Sequence, residues 1–227
     1  MRRFLIALFG CLLLGNGASA ATFEVNAFAR GCLYSNGDYG CGFSGTGTGT
    51  YYTGNSLGQN LRAFLVFDLS GVTGTIVSAS FSFLDNSDFA YNSADATEAV
   101  GFFRLGANTV AEVLTNTGDA NTYSALGTGT NLGYPSFSAA MTSGDVSHSL
   151  SASWIAELNE GGTFGVGMNF ITLAGSSEEG VFGASMHSAV KLTLETGSIS
   201  TVPVPASLPL LLAGVGGIAL MRRGARR

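Results

Sequence analysis

Proton transfer in enzymes calls on histidine more often than on any other side chain, and this chain of 227 residues has two, His148 and His187. His148 shares parity with Val146 and Leu150, which predicts a half-buried ring on a strand near a sheet edge. His187 follows Met186 in a loop-like stretch. Asp145 lies near His148, but no G-x-S-x-G elbow occurs to name a nucleophile, and H-E-x-x-H is absent. Oxygen ligands for a hard cation such as calcium are offered by Asp85-Asn86-Ser87-Asp88, with Asp95 and Glu98 following. Their spacing matches no EF-hand loop, and solvated acidic turns look the same. Asp85, Asp88 and Asp95 therefore stand as weak metal candidates, and no other cofactor is expected.

Tyr34, Tyr39, Tyr51, Tyr52, Tyr91 and Tyr123 fall in expected loops or hairpin ends, where a flat ring with a hydroxyl can stack on a sugar. Cys32 and Cys41 are an even pair beyond the N-terminal apolar run, and their spacing is not C-x-x-C, so a disulfide is favoured over a redox or metal pair. Asn36-Gly37 between them predicts a two-residue type I′ hairpin turn, which places Cys32 opposite Cys41. Closing so short a loop is worth roughly 2–3 kcal/mol.

These side chains must be positioned by strands. Val77, Ala79, Phe81 and Phe83 alternate with Ser78, Ser80 and Ser82, the pattern of a sheet with one dry and one wet face. Arg62 to Leu69 is apolar on both parities and should be central. Further strands are expected at 22–28, 100–105, 146–150, 163–171 and 189–195. In the fourth of these Gly165 and Gly167 leave one face bare, so an aromatic or another backbone is expected to pack there. Gly45 to Thr50 and Gly127 to Thr130 read as loops or poorly packed edges, and Glu178-Glu179 as a charged loop tip. One short helix is expected, capped by Ser151 or Ser153, with Trp154, Ile155 and Leu158 on one face and Gly161-Gly162 as its stop. The fold class that follows is all-β: an antiparallel, jelly-roll-like β-sandwich of seven or eight strands with one short helix.

Both ends differ from this body. Residues 1–20 run from Arg2-Arg3 through the apolar Phe4 to Leu14 to Ala18-Ser19-Ala20, which predicts a signal peptide for the Sec export machinery, helical in its apolar part and cut between Ala20 and Ala21. The body then covers 21–200, and 201–227 is a tail. Val202 to Met221 contains no charge and is followed by Arg222, Arg223, Arg226 and Arg227. A transmembrane helix with its basic end inside is expected, with the membrane contact over 203–221. Of the ten basic residues six lie in these ends, so the body carries 4 basic against 15 acidic side chains, a net charge of −11. Such a body repels phosphate backbones, which argues against nucleic acid as a partner.

The tail Val202-Pro203-Val204-Pro205-Ala206-Ser207-Leu208-Pro209, with its apolar run and arginines, resembles the bacterial sorting signals of the PEP-CTERM class, more closely their VPLPA variant. Val204 stands where that variant has Leu. The resemblance implies recognition of Val202, Pro203, Val204, Pro205 and Ala206 by an exosortase-type membrane transpeptidase, which cuts near the motif and releases or transfers the body. Membrane anchoring before processing, then a cell-surface or extracellular location, is the implied route. Arg62 to Gly71 followed by Gly74 to Phe81 also resembles the strand pair of secreted β-sandwich modules of the DNRLRE and carbohydrate-binding type. That likeness implies a sandwich with a polysaccharide-facing surface and transfers no ligand residues. The expected function is a non-catalytic surface or matrix protein associated with exopolysaccharide. The alternative is a secreted carbohydrate-active hydrolase, which would need an acid pair across a groove at roughly 5–9 Å.

Overall fold

Short runs bounded by glycine, asparagine and serine pair into antiparallel ladders. The computed structural model describes residues 20–41, 49–83, 89–142, 146–173, 178–183 and 190–197, and fourteen strands lie among them. In chain order these are β1 (Ala21–Asn26), β2 (Ala29–Tyr34), β3 (Tyr39–Gly40), β4 (Thr53–Ser56), β5 (Gln59–Asp68), β6 (Thr75–Phe83) and β7 (Phe89–Asn92), then β8 (Glu98–Arg104), β9 (Thr130–Gly133), β10 (Ser136–Phe137), β11 (Val146–Ser149), β12 (Thr163–Phe170), β13 (Glu179–Gly183) and β14 (Val190–Gly197). Three α-helices accompany them, α1 (Ala107–Thr115), α2 (Ala120–Ala125) and α3 (Ala152–Leu158), with a 3-10 turn at Ala139–Thr142. Ala21–Thr196 forms one compact unit; of the second unit, Met1–Ala20 with Gly197–Arg227, Ala20 and Gly197 are described. The sorting motif, the apolar tail, Asp85, Asp88, Asp145, His187 and Gly45 to Thr48 lie outside the described residues. Among the described residues no helix is long and apolar enough to cross a membrane.

The small sheet has the order β1-β14-β6-β11, and the large one runs β10-β8-β12-β5-β4-β13-β7, with β2 and β3 attached at β5 and β9 at β8. Their facing sides share one core. Phe81 and Phe83 from the small sheet meet Phe67, Phe102, Phe137 and Phe182 from the large one, and Phe67 stands edge-on to Phe81 at 6.0 Å. This is the all-β sandwich that the alternation in β6 predicts. At the start of β6 the pattern slips: Ile76 is buried and Val77 is 56 % exposed. Asn159, just past α3, holds this end of β6, its amide donating to Ile76 O and accepting from Ile76 N.

β5 is apolar on both parities because both its faces are covered. Ala63, Leu65 and Phe67 face the core between the sheets, while Phe64 and Val66 belong to a second cluster with Val110 and Val113 of α1 and Leu126 just past α2. The bare face of β12 receives the same layer. A Cβ on Gly165 would stand 2.5 Å from Val110 Cγ2, and one on Gly167 2.3 Å from Leu126 O. The expectation of a single helix is therefore corrected to three. α1 carries a helical period of a single turn, Val110, Val113 and Leu114 at i, i+3 and i+4, too short to stand out from the strands around it, and α2 buries only Thr122 and has none. α2 does carry a local signal: Asp119 accepts from Asn121 N and Thr122 N, and Thr122 Oγ1 accepts from Asp119 N, a closed capping box. The third helix lies where expected, with Trp154 and Leu158 buried and positive φ at Gly161 and Gly162, but Ser151 at the N-cap position makes no capping bond and its hydroxyl pairs with that of Ser153 at 2.8 Å.

Cys32 and Cys41 form the expected disulfide, with Cα atoms 5.7 Å apart. The expected register is corrected. Cys32 lies opposite Gly40 and Leu33 opposite Tyr39, because the loop has three residues. Tyr34 N donates to Asp38 O, Gly37 N donates to Tyr34 O, and Gly37 takes φ 93°, a turn closed by a glycine bulge. Asn36 is drawn into an Asx turn, accepting from Asp38 N at 3.0 Å, rather than the left-handed conformation. Cys41 then adopts φ 61° to reach back to Cys32. Gly37 also seats this tip, since a Cβ there would lie 2.2 Å from the Asp119 carbonyl carbon.

Candidate functional site

Two hairpin tips stand side by side. One is Ser35 to Gly37; the other joins β4 to β5 through Leu57 and Gly58, whose φ of 53° and 75° have the signs of a type I′ turn. Between them lies an open groove of about 600 Å³ lined by Tyr34, Asn36, Asp38, Tyr39, Ser56, Leu57 and Gln59. Its chemistry is two phenol rings with two amides, a hydroxyl and one carboxylate. Asn36 Nδ2 donates to Asp38 Oδ2 at 2.6 Å, which fixes both side chains. Tyr39 donates from its hydroxyl to Glu112 O at 3.0 Å, and burial, reinforced by the negative charge of Glu112, pushes its pKa above the ordinary 10.0. It remains a neutral ring held by α1. Leu57 is 85 % exposed in a conformation that L-residues with a side chain seldom adopt, so the groove's lip carries both exposed apolar surface and backbone strain. Strain of this kind points toward function.

The tyrosine expectation divides here. Tyr34 and Tyr39 line the groove. Tyr51 is corrected from loop surface to core, stacked on Phe83 at 6.1 Å. Tyr123 lies under the Arg62 guanidinium at 4.4 Å, and Tyr91 donates to Asp95 O. Sequence reasoning missed Leu57 and Gln59, because Leu-Gly is not a recognised turn signal. Among the acidic candidates, Asp95 is exposed, while Glu98 is 1 % exposed and accepts from the hydroxyls of Ser93 and Thr172. No group of three potential metal ligands occurs among the described residues. Glu179 is corrected from a loop tip to a buried position on β13, opposite Asn55.

All four basic residues of 21–200 are engaged. Arg30 Nε donates to Gly49 O at 3.0 Å beside Tyr51. Arg62 donates to Asn169 Oδ1 and to the carbonyls of Tyr123 and Ser124. Arg104 donates to Leu105 O and Gly165 O over the Phe164 ring, with Glu157 at 3.7 Å. Lys191 pairs with Glu24 at 2.7 Å. The glycine stretch 127–130 is the expected loop, running into β9, but it is tightly packed rather than loose: a Cβ on Gly127 would meet Arg62 Cζ at 2.7 Å, and one on Gly129 would meet Arg104 O at 1.9 Å. Anionic ligands thus find an acidic surface whose cations are already used.

His148 is half-buried on the edge strand β11, as its parity predicts, edge-on to Phe137 at 5.1 Å. Its Nε2 is buried and makes no hydrogen bond, and desolvation lowers its pKa below 6.5. The unfolded chain therefore takes up the proton first. Stability is complete above pH 6.5 and falls as the pH drops through the lowered folded value. Denaturant unfolding between about pH 8 and pH 5 should show that loss, and a His148→Leu variant should flatten it. Equal pH slopes in the two proteins would refute the burial of this ring. No protein-family model matches the chain, and no curated protein matches it in sequence.

Proposed function

We propose that the body is a non-catalytic component of the cell surface or extracellular matrix that holds an uncharged stretch of exopolysaccharide in the groove between the two hairpin tips. The observation that carries this reading is the groove's composition: phenol rings of Tyr34 and Tyr39 beside the hydrogen-bonding groups of Asn36, Asp38, Ser56 and Gln59, with no basic residue among them. Rings offer apolar faces to sugar C–H groups, and fixed amides and carboxylates accept and donate to hydroxyls. Its open form suits the side of a polymer rather than a small molecule enclosed on all sides.

Delivery rests on the ends of the chain. The Sec machinery exports the protein under the signal at 1–20, the tail holds it in the membrane, and an exosortase-type transpeptidase processes it near Val202 to Ala206. Intact-mass measurement with and without that enzyme tests the route: a product shortened near Pro205 supports it, and one still ending in Arg227 overturns it. Binding is tested by retention of 21–200 on exopolysaccharide from the producing cells. A Tyr34→Ala, Gln59→Ala double variant should bind about tenfold more weakly, corresponding to roughly 1.4 kcal/mol. Unchanged retention would remove the groove from the function.

A further inference from the structure

A second concavity lies at an open edge of the sandwich, where β11 of the small sheet faces the β9–β10 connection of the large one. It measures about 260 Å³, and its lining includes Phe81, Phe102, Trp154, Tyr134, His148 and Ser149. Trp154 is 4 % exposed and is packed at 5.7 Å from Phe102, so the floor is aromatic and fixed. Gly133, at φ 136°, has Trp154 Nε1 about 4.0 Å from the place of a Cβ, so no side chain separates the indole nitrogen from this wall. At the rim Tyr134 is 54 % exposed and edge-on to Phe103 at 6.3 Å. Ser149 and Ser151 add hydroxyls on the opposite side. The lining contains no Asp, Glu, Lys or Arg.

We propose that this cleft is a binding site for one uncharged pyranose ring, presented free or as the end of a glycan chain. The volume falls just below the roughly 300–1,000 Å³ of pockets that take drug-sized ligands, which suits one ring and excludes a longer segment. A pyranose has an apolar C–H face for the exposed Tyr134 ring, above a floor closed by the buried Trp154 and Phe102, and an edge of hydroxyls for the serines and the tyrosine hydroxyl. A carboxylate or phosphate would lose its hydration with no cation to replace it. The proposal rests on the reading of the body as a sugar-binding one, but at a separate place: the hairpin groove holds the side of a polymer, this cleft an end.

Trp154 is the single tryptophan of the chain, so its emission reports on the cleft alone. The probes are the methyl pyranosides of glucose, galactose, mannose and N-acetylglucosamine, with glucuronate as the charged control and cyclohexanol as the apolar one. A saturable emission change is expected with at least one neutral pyranoside. Tyr134→Phe, which keeps the ring on Phe103, should weaken that binding about threefold with unchanged melting, and Tyr134→Ala tenfold or more. No saturable change with any neutral pyranoside overturns the proposal, as does equal binding of glucuronate, binding of cyclohexanol alone, or wild-type affinity in Tyr134→Ala. Polymer retention measured in parallel separates the two readings. Retention without pyranoside binding defeats the cleft alone, and pyranoside binding without retention defeats the hairpin groove alone.

Discussion

Phe81→Ala is expected to lower the unfolding free energy of the body by about 3–5 kcal/mol, the cost of removing a fully buried phenyl and leaving a cavity. Phe81 is where the sandwich closes: its ring is 4.8 Å from Phe83, 5.8 Å from Phe102, 6.0 Å from Phe67 and 6.2 Å from Trp154. Each of these rings is itself buried, so removing the phenyl takes away contacts on several sides at once. For a body of this size each kcal/mol shifts the melting temperature by roughly 2–4 °C, so a drop of about 10 °C should accompany the loss. Ser80→Ala, one residue earlier on the opposite face, should stay within about 0.5 kcal/mol of wild type. Denaturant titration of the three proteins checks the pair. Similar effects from both substitutions would mean that β6 does not have one dry face.

What made Phe81 readable in the sequence is period-two alternation, a signal carried by side chains. Where a periodic pattern or a matched pair of side chains carries the contact, the sequence was informative: β5 as the doubly covered strand, Trp154 and Leu158 on α3, Cys32 with Cys41; isolated side chains such as Tyr51 and Glu179, buried against expectation, carried no such pattern. Where the contact is made by the absence of a side chain, it was not. The layer of α1 and α2 over the large sheet is seated on Gly165 and Gly167, and a glycine on a strand says that something is near without naming it. The hairpin register failed for a different reason. Asn36-Gly37 permits two turns of different length, and the choice was made by an Asn36–Asp38 side-chain contact and by Asp119, distant in sequence, lying against Gly37. Of the candidate groove, Tyr34 and Tyr39 were legible as hairpin-end rings. Leu57 was not, since an apolar residue at positive φ contradicts both the turn rules and the burial rules.

Gly167→Ala is expected to cost about 3 kcal/mol, the upper end of what overpacking usually costs. Gly167 has no positive φ, so alanine can adopt its backbone conformation and strain there contributes nothing. The penalty is steric. The added carbon would sit 2.3 Å from Leu126 O and 2.7 Å from Leu126 Cα, and main-chain atoms cannot turn aside as a flexible side chain does. The turn after α2 would have to lift, taking fully buried Leu126 out of the second core and stretching the bonds from Arg62 to the carbonyls of Tyr123 and Ser124. Because Arg62→Ala would release that same turn, the double variant should lose clearly less than the two single losses added together. Gly71→Ala gives the contrast: it has open space and ordinary φ, so alanine there should be neutral or stabilise by about 0.4–1 kcal/mol through the unfolded chain. If Gly167→Ala instead unfolds within 0.5 kcal/mol of wild type, the turn does not rest on β12, and the helical layer over the large sheet is held by its other contacts, Val110 and Val113 of α1 among them.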